Sequence, residues 1–185
     1  MLRKFFLIAV IMFITLSAIA CGDTANTGSP PADTVNDNDG VTETVIPVIQ
    51  NENVQGIIGA TYATQWFEFT VAYINLPSRY AGYTPADGKI LVDVFMKEKG
   101  LFEEPVLMGT FDFYMDSSTF EEYVYPLDPI DDSMMPLEFY LAKDQTAEYH
   151  MIYEIPGDTS DLQLMYTELN AEEQEGATFT VSLHL

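Results

Sequence analysis

The side chains able to do acid–base or metal chemistry in this chain are plentiful but loosely grouped. Its two histidines, His150 and His184, are the natural proton carriers near neutral pH. His150 stands in "AEYHMIYEI", where an extended backbone places it on the same side as Glu148 and Glu154. His184 stands opposite the apolar residues of the closing "TFTVSLHL". A nucleophilic triad needs a histidine held by an acid and beside a serine, and the sequence has no Gly-x-Ser-x-Gly elbow. Neither histidine has the close His or Cys company of a zinc site. Both are expected as ordinary strand-surface residues. Catalytic, cofactor-binding and metal-binding residues are accordingly expected to be none.

Acids number 29 against seven bases, a formal net charge of −22. A glycoside hydrolase needs two carboxylates roughly 5 to 9 Å apart, but with so many acids such pairs arise by chance. Two acidic loops fit an oxygen-seeking cation such as calcium better. "DSSTFEEY" offers Asp116, Glu121 and Glu122, and "LDPIDDS" offers Asp128, Asp131 and Asp132. "NDNDG" at 36–40 fails the EF-hand frame, which would put Val35 and Ile46 at ligand positions. The charge also opposes nucleic acid and anionic lipid head groups, so no nucleic-acid partner is expected. A third set is aromatic. Tyr80, Tyr83, Phe102, Tyr123 and Tyr125 fall in or near turn-rich segments. Exposed, they would suit protein or carbohydrate contacts; otherwise they pack over the ends of the domain.

The single cysteine, Cys21, closes "MLRKFFLIAVIMFITLSAIAC". Arg3 and Lys4, an apolar run from Phe5 and the small residues Ala18 and Ala20 form the pattern of a secretory signal peptide. A spanning helix needs about 20 apolar residues, and Thr15 and Ser17 interrupt this run. "SAIAC" resembles the lipobox of bacterial lipoproteins, with Ala18 in place of the usual Leu. The resemblance implies cleavage after Ala20 and lipid attachment to Cys21. A lone thiol in an exported protein otherwise calls for explanation, and a diacylglyceryl group would consume it and supply two chains for anchoring. The alternative is a secreted protein with a free or dimerising cysteine.

Three segments follow: a lipoprotein signal peptide over 1–20, a lipidated Cys and flexible acidic tether over 21–55, and a folded domain over 56–185. The tether is rich in Asp, Asn, Thr, Gly and Pro and has too little apolar surface to offset ordering entropy. Its roughly 30 residues would span about 30 Å as a coil.

Beyond Gly56 the texture becomes alternating. "WFEFTVAYI", "KILVDVFMK", "GTFDFYMD", "PLEFYLA", "AEYHMIYEI", "DLQLMY" and "TFTVSLHL" each place apolar residues at every second position. Turn signals separate them, and no window keeps a helical period. The spacing predicts an all-β, immunoglobulin-like antiparallel β-sandwich of about seven to eight strands, one face of each sheet wet, preceded by a signal helix and a disordered linker.

"WFEFTV", "YAGYTPADGKILVDV", "EPVLMGTFDF", "LAKDQT", "YEIP" and the closing "YTEL…TFTVSLHL" resemble the telokin-like lipoprotein family of Gram-positive bacteria, a family of unknown function. That resemblance implies an immunoglobulin-like sandwich at the outer face of the cell membrane and brings no catalytic residue with it. Where the family closes a strand with Asn, this chain has Lys97 to Gly100, which is expected to alter a turn. The leading expectation is a lipid-anchored interaction module for a protein, peptide or cell-wall ligand, monomeric by default. The alternatives are calcium or cationic-ligand binding by the acidic loops and, third, a hydrolase.

Overall fold

The computed structural model describes residues 45–46, 53–169 and 174–185. The leader, Cys21, Ala20 and most of the tether lie outside the described residues. Among the described residues there are eleven strands in chain order: β1 (Val45–Ile46), β2 (Val54–Ile57), β3 (Thr61–Ala63), β4 (Phe67–Asn75), β5 (Lys89–Gly100), β6 (Val106–Gly109), β7 (Phe113–Asp116), β8 (Glu138–Leu141), β9 (Thr146–Pro156), β10 (Gln163–Leu169) and β11 (Glu175–Ser182). They form a five-stranded sheet, β1-β3-β4-β5-β9, a four-stranded sheet, β2-β11-β10-β7, and a ribbon, β6-β8. Among the described residues there is no α-helix, only a 3-10 turn at Thr110–Asp112.

The two larger sheets share one core. Phe67, Phe69 and Val71 of β4, Val92, Val94 and Met96 of β5, and Tyr149, Met151, Tyr153 and Ile155 of β9 face Phe113 and Met115 of β7, Leu164 and Tyr166 of β10, and Phe179 and Val181 of β11. Each of the seven alternating segments contributes a strand, and most of the inward sets match the alternation. At the centre, Phe69 packs edge-on against Phe113, Tyr166 and Phe179, at centroid distances of 5.5, 6.1 and 5.6 Å. Offset and edge contacts of this kind add to the burial energy of large rings.

The structure departs from the expected fold in five places. First, pairing is not wholly antiparallel: β1 runs parallel to β3, and β2 runs parallel to β11. One extended stretch passes between the sheets, joining β11 as β2 and then β4 as β3. The Tyr62 hydroxyl ties this corner, accepting from Ile57 N at 2.6 Å and donating to Ile57 O at 3.0 Å. Gly56 makes room for that ring, since a Cβ there would lie 2.5 Å from the Tyr62 oxygen. β2 begins at Val54 and β1 lies at Val45–Ile46, so pairing starts ahead of Gly56. Second, β5 continues through Lys97, Glu98 and Lys99, paired with Glu148, Ala147 and Thr146, where a turn was expected.

Third, a bulge between Val71 and Tyr73 shifts the register and turns Tyr73 to the outer face, where it stacks on Phe95 at 4.9 Å. Fourth, Phe111 does not continue the apolar face of β7. Gly109 N donates to the Asp112 carboxylate at 2.7 Å, closing the 3-10 turn, and Phe111 is left 59% exposed. Fifth, the outer face of the five-stranded sheet is not simply wet. Leu91 and Ile152 are fully buried there with Met134, covered by Tyr80, Tyr83 and Leu127.

Candidate functional site

The two outer faces treat their aromatic residues differently. On the five-stranded sheet, Tyr80 and Tyr83 belong to the long β4–β5 connection and are folded back. The Tyr80 hydroxyl bonds Ser133 Oγ at 2.8 Å. The Tyr83 hydroxyl donates to Glu154, and this bond raises the tyrosine pKa and lowers that of Glu154. Beneath them, His150 Nδ1 lies 2.6 Å from Asp93 Oδ1, and Tyr73, Tyr80 and Phe95 surround the imidazole. The histidine expected as an ordinary surface residue is thus a partly covered His–Asp pair, because the connections from β4 and into β8 close over it. Ser133 is adjacent, but its hydroxyl donates to Asp131 at 2.6 Å. His150 N donates to Ser133 O at 2.9 Å, but among the described residues no side-chain bond between serine and histidine completes a triad. His184 is exposed.

On the edge of the four-stranded sheet the aromatics point outward. Val124 pairs with Met115, through N–H to O bonds of 2.7 and 2.9 Å, and packs against the core. Extended backbone alternates, so its neighbours Tyr123 and Tyr125 both project into solvent, 52% and 45% exposed. Tyr114 stands between them on β7, its hydroxyl 2.9 Å from Thr167 Oγ1. Rings join across this surface: Tyr114 to Tyr123 at 4.6 Å, Tyr114 to Tyr125 at 6.0 Å and Phe111 to Tyr125 at 5.7 Å. Tyr123 and Tyr125 were expected as candidates; Phe111 and Tyr114 read as ordinary strand positions and were missed.

Carboxylates flank the rings. A hollow of about 480 Å³ is lined by Asp116, Phe120, Glu121, Glu122 and Tyr123, and another of about 680 Å³ by Phe111, Pro129, Pro136, Leu137 and Glu138. The described bases, Arg79, Lys89, Lys97, Lys99 and Lys143, lie in β5 or in loops flanking the five-stranded sheet. Among the described residues, no ion pair engages Asp116, Glu121, Glu122 or Glu138, which border the aromatic surface.

The first acidic loop thus brings Asp116, Glu121 and Glu122 to one hollow. In the second, Asp131 Oδ1 is already occupied, accepting from Ser133 N at 2.9 Å and Ser133 Oγ at 2.6 Å, which lowers its pKa. Asp128 and Asp132 are exposed. Among the described residues, no three of His, Cys, Asp and Glu gather as a metal-holding group.

A third feature lies at one end of the sandwich. Trp66, Phe102, Glu104, Met108, Asp112 and Tyr166 are among the residues around a cleft of about 300 Å³. The Trp66 indole N–H donates to Leu169 O at 3.2 Å, and Phe102 packs edge-on against it at 4.8 Å. Burial pushes the Asp112 carboxyl up to about 6, against the opposing bond from Gly109. Glu98 is near it, inside the sandwich, because it shares the inward face of β5 with Met96. Burial pushes Glu98 up to about 8, against the opposing interaction with the Tyr149 hydroxyl. The Tyr149 hydroxyl, buried beside it, faces the Glu98 carboxyl, and the Tyr149 and Tyr166 pKa values are raised chiefly by burial.

With this geometry in place, comparison with known proteins informs the fold. No family model and no curated protein matches the chain. Solved structures do. A functionally unknown protein from Listeria monocytogenes EGD-e aligns with a TM-score of 0.55 at 7% identity, over 74% of this chain and 85% of that one. The secreted protein MPT63 from Mycobacterium tuberculosis aligns with a TM-score of 0.51 at 9% identity, over 69% and 96%. A "putative lipoprotein (ycdA)" from Bacillus subtilis aligns with a TM-score of 0.51 at 15% identity. That match covers 66% of this chain and only 38% of ycdA. At these identities the likeness shows a shared all-β fold.

Proposed function

We propose that this protein is a non-catalytic interaction module of the telokin-like lipoprotein type, held at the outer face of the cell membrane by lipid on Cys21. Its binding surface is the ring cluster of Phe111, Tyr114, Tyr123 and Tyr125, and its partner is a basic segment of another protein. The observation that carries this reading is the joined, exposed aromatic surface bordered by Asp116, Glu121, Glu122 and Glu138. Monomeric proteins seldom leave such apolar area uncovered without use. Tyr rings flanked by carboxylates suit Arg and Lys, which combine a cation for the ring face with donors for the carboxylate. The negative charge of these carboxylates would also speed encounter with a basic partner. The anchor rests on the lipobox resemblance and is in keeping with the name given to ycdA.

Two measurements test the proposal. Titrating the full-length chain with an Arg- and Lys-rich peptide should show binding that weakens steeply with salt, while a Glu-substituted peptide shows none. Binding of a neutral wall polysaccharide in place of the basic peptide overturns the choice of partner. For the anchor, Cys21→Ser should move the protein from the membrane fraction to the medium; unchanged membrane association overturns it.

A further inference from the structure

We propose that the end cleft walled by Trp66, Phe102 and Tyr166, with Asp112 inside it, is a binding site for a small alkylammonium ion. This site is separate from the aromatic surface and does not depend on it. Its volume, about 300 Å³, suits a small organic molecule. Its walls are fixed before any ligand arrives. The Trp66 carbonyl accepts from Leu101 N at 3.0 Å and Phe102 N at 3.1 Å, so the ring-bearing residues are tied by backbone as well as by the indole N–H. The bond from Gly109 orients the Asp112 carboxylate. Aromatic faces and a carboxylate together recognise an organic cation, the faces through their quadrupoles and the carboxylate through its charge. A neutral molecule of equal shape would gain only the apolar part.

The interior behind Asp112 supplies a second, independent observation. Glu98 is 2% exposed, and the group that faces its carboxyl inside the sandwich is the equally buried Tyr149 hydroxyl. A carboxyl buried this deeply is costly to ionise without a nearby positive charge. A cation in the cleft would offset the cost of ionising this group of carboxyls. The titratable groups facing Asp112 are Glu98 from β5, Tyr149 from β9 and Tyr166 from β10, with Glu104 at the rim. Because burial holds Asp112 at about 6, cation affinity should rise as pH increases through that region.

Trp66 is the chain's only tryptophan, so its fluorescence reports the cleft directly. The probe is tetramethylammonium, with neopentyl alcohol as the neutral shape match, added to the full-length chain. The expected result is a saturable fluorescence change for the cation, with affinity roughly tenfold higher than for the alcohol. Affinity should increase between acidic and neutral pH. Asp112→Asn keeps an oxygen for the Gly109 bond and should remove both the preference for charge and the pH dependence. Phe102→Leu, at a 40% exposed position, should weaken the cation while leaving the melting temperature near that of the parent. Equal affinity for cation and alcohol, an unchanged pH profile in Asp112→Asn, or no saturable change in the parent chain would each overturn the proposal.

Discussion

Tyrosines lie over both sheets, yet the two faces use them in opposite ways. Over the five-stranded sheet, Tyr80 and Tyr83 have bonded hydroxyls, and their rings cover Leu91, Ile152 and Met134. At the edge of the four-stranded sheet, Tyr123 and Tyr125 pack ring against ring and about half of each is exposed. One face has been closed by its own connections and completes a small second core. The other has been left open. The difference separates aromatic residues that hold the fold from those available to another molecule.

Substitutions on the closed face should have the largest effect on stability. Ile152→Ala removes a fully buried side chain and should cost about 2–5 kcal/mol in urea unfolding. It should also speed hydrogen exchange in 77–88 and 127–135, the connections that pack over it. A cost no greater than that of an exposed substitution would mean this face is not a core.

Glu98 gives a pH-dependent test. Its carboxyl moves from an ordinary 4.5 in the unfolded chain to about 8 in the folded one. Between those values the folded state retains a proton that the unfolded state releases. This contribution to stability is complete below about pH 4.5 and is lost as pH rises towards 8, at up to about 1.4 kcal/mol per pH unit. Asp112 contributes in the same direction from 3.8 to about 6. Glu98→Gln should therefore flatten stability most clearly between about pH 6 and 8, measured as denaturation midpoint against pH.

Smaller effects are expected where backbones meet closely. A Cβ on Gly100 would lie 2.2 Å from Ala142 O, so Gly100→Ala must part β5 from the start of the β8–β9 turn. Overpacking of this kind costs about 1–3 kcal/mol, readable from the same unfolding curves. The smallest change in stability belongs to the open face. Tyr123→Ala and Tyr125→Ala should each alter it by no more than roughly 1 kcal/mol, while weakening peptide binding.

Much of the fold was legible because alternation is strong where one strand face is buried. Phe179, Val181 and Leu183 are all inward, as their spacing requires. The failures have local causes. Val54–Ile57 and Thr61–Ala63 are too short for a period to show, and they pair in different sheets. Tyr73 changes face because a bulge adds a residue, and Phe111 because Asp112 caps a turn. Of the surface, Tyr123 and Tyr125 could be picked out from turn-rich sequence. The role of Val124 in aiming both outward follows from one isolated pair with Met115, which has no sequence signature. The Asp93–His150 pair was hidden for a similar reason: its members lie on different strands and meet diagonally, Asp93 standing opposite Ile152 and His150 opposite Phe95 in the β5–β9 register.

The central claim concerns which aromatic residues meet a partner. Its most direct test is calorimetric titration of the full-length chain with the basic peptide, comparing the double variants Tyr123→Ala/Tyr125→Ala and Tyr80→Phe/Tyr83→Phe with the parent. The first should lose binding by roughly tenfold or more, about 1.4 kcal/mol or greater, and keep its fold. The second should bind as the parent does. Equal binding by the first variant and the parent, or a loss confined to the second, would contradict the account.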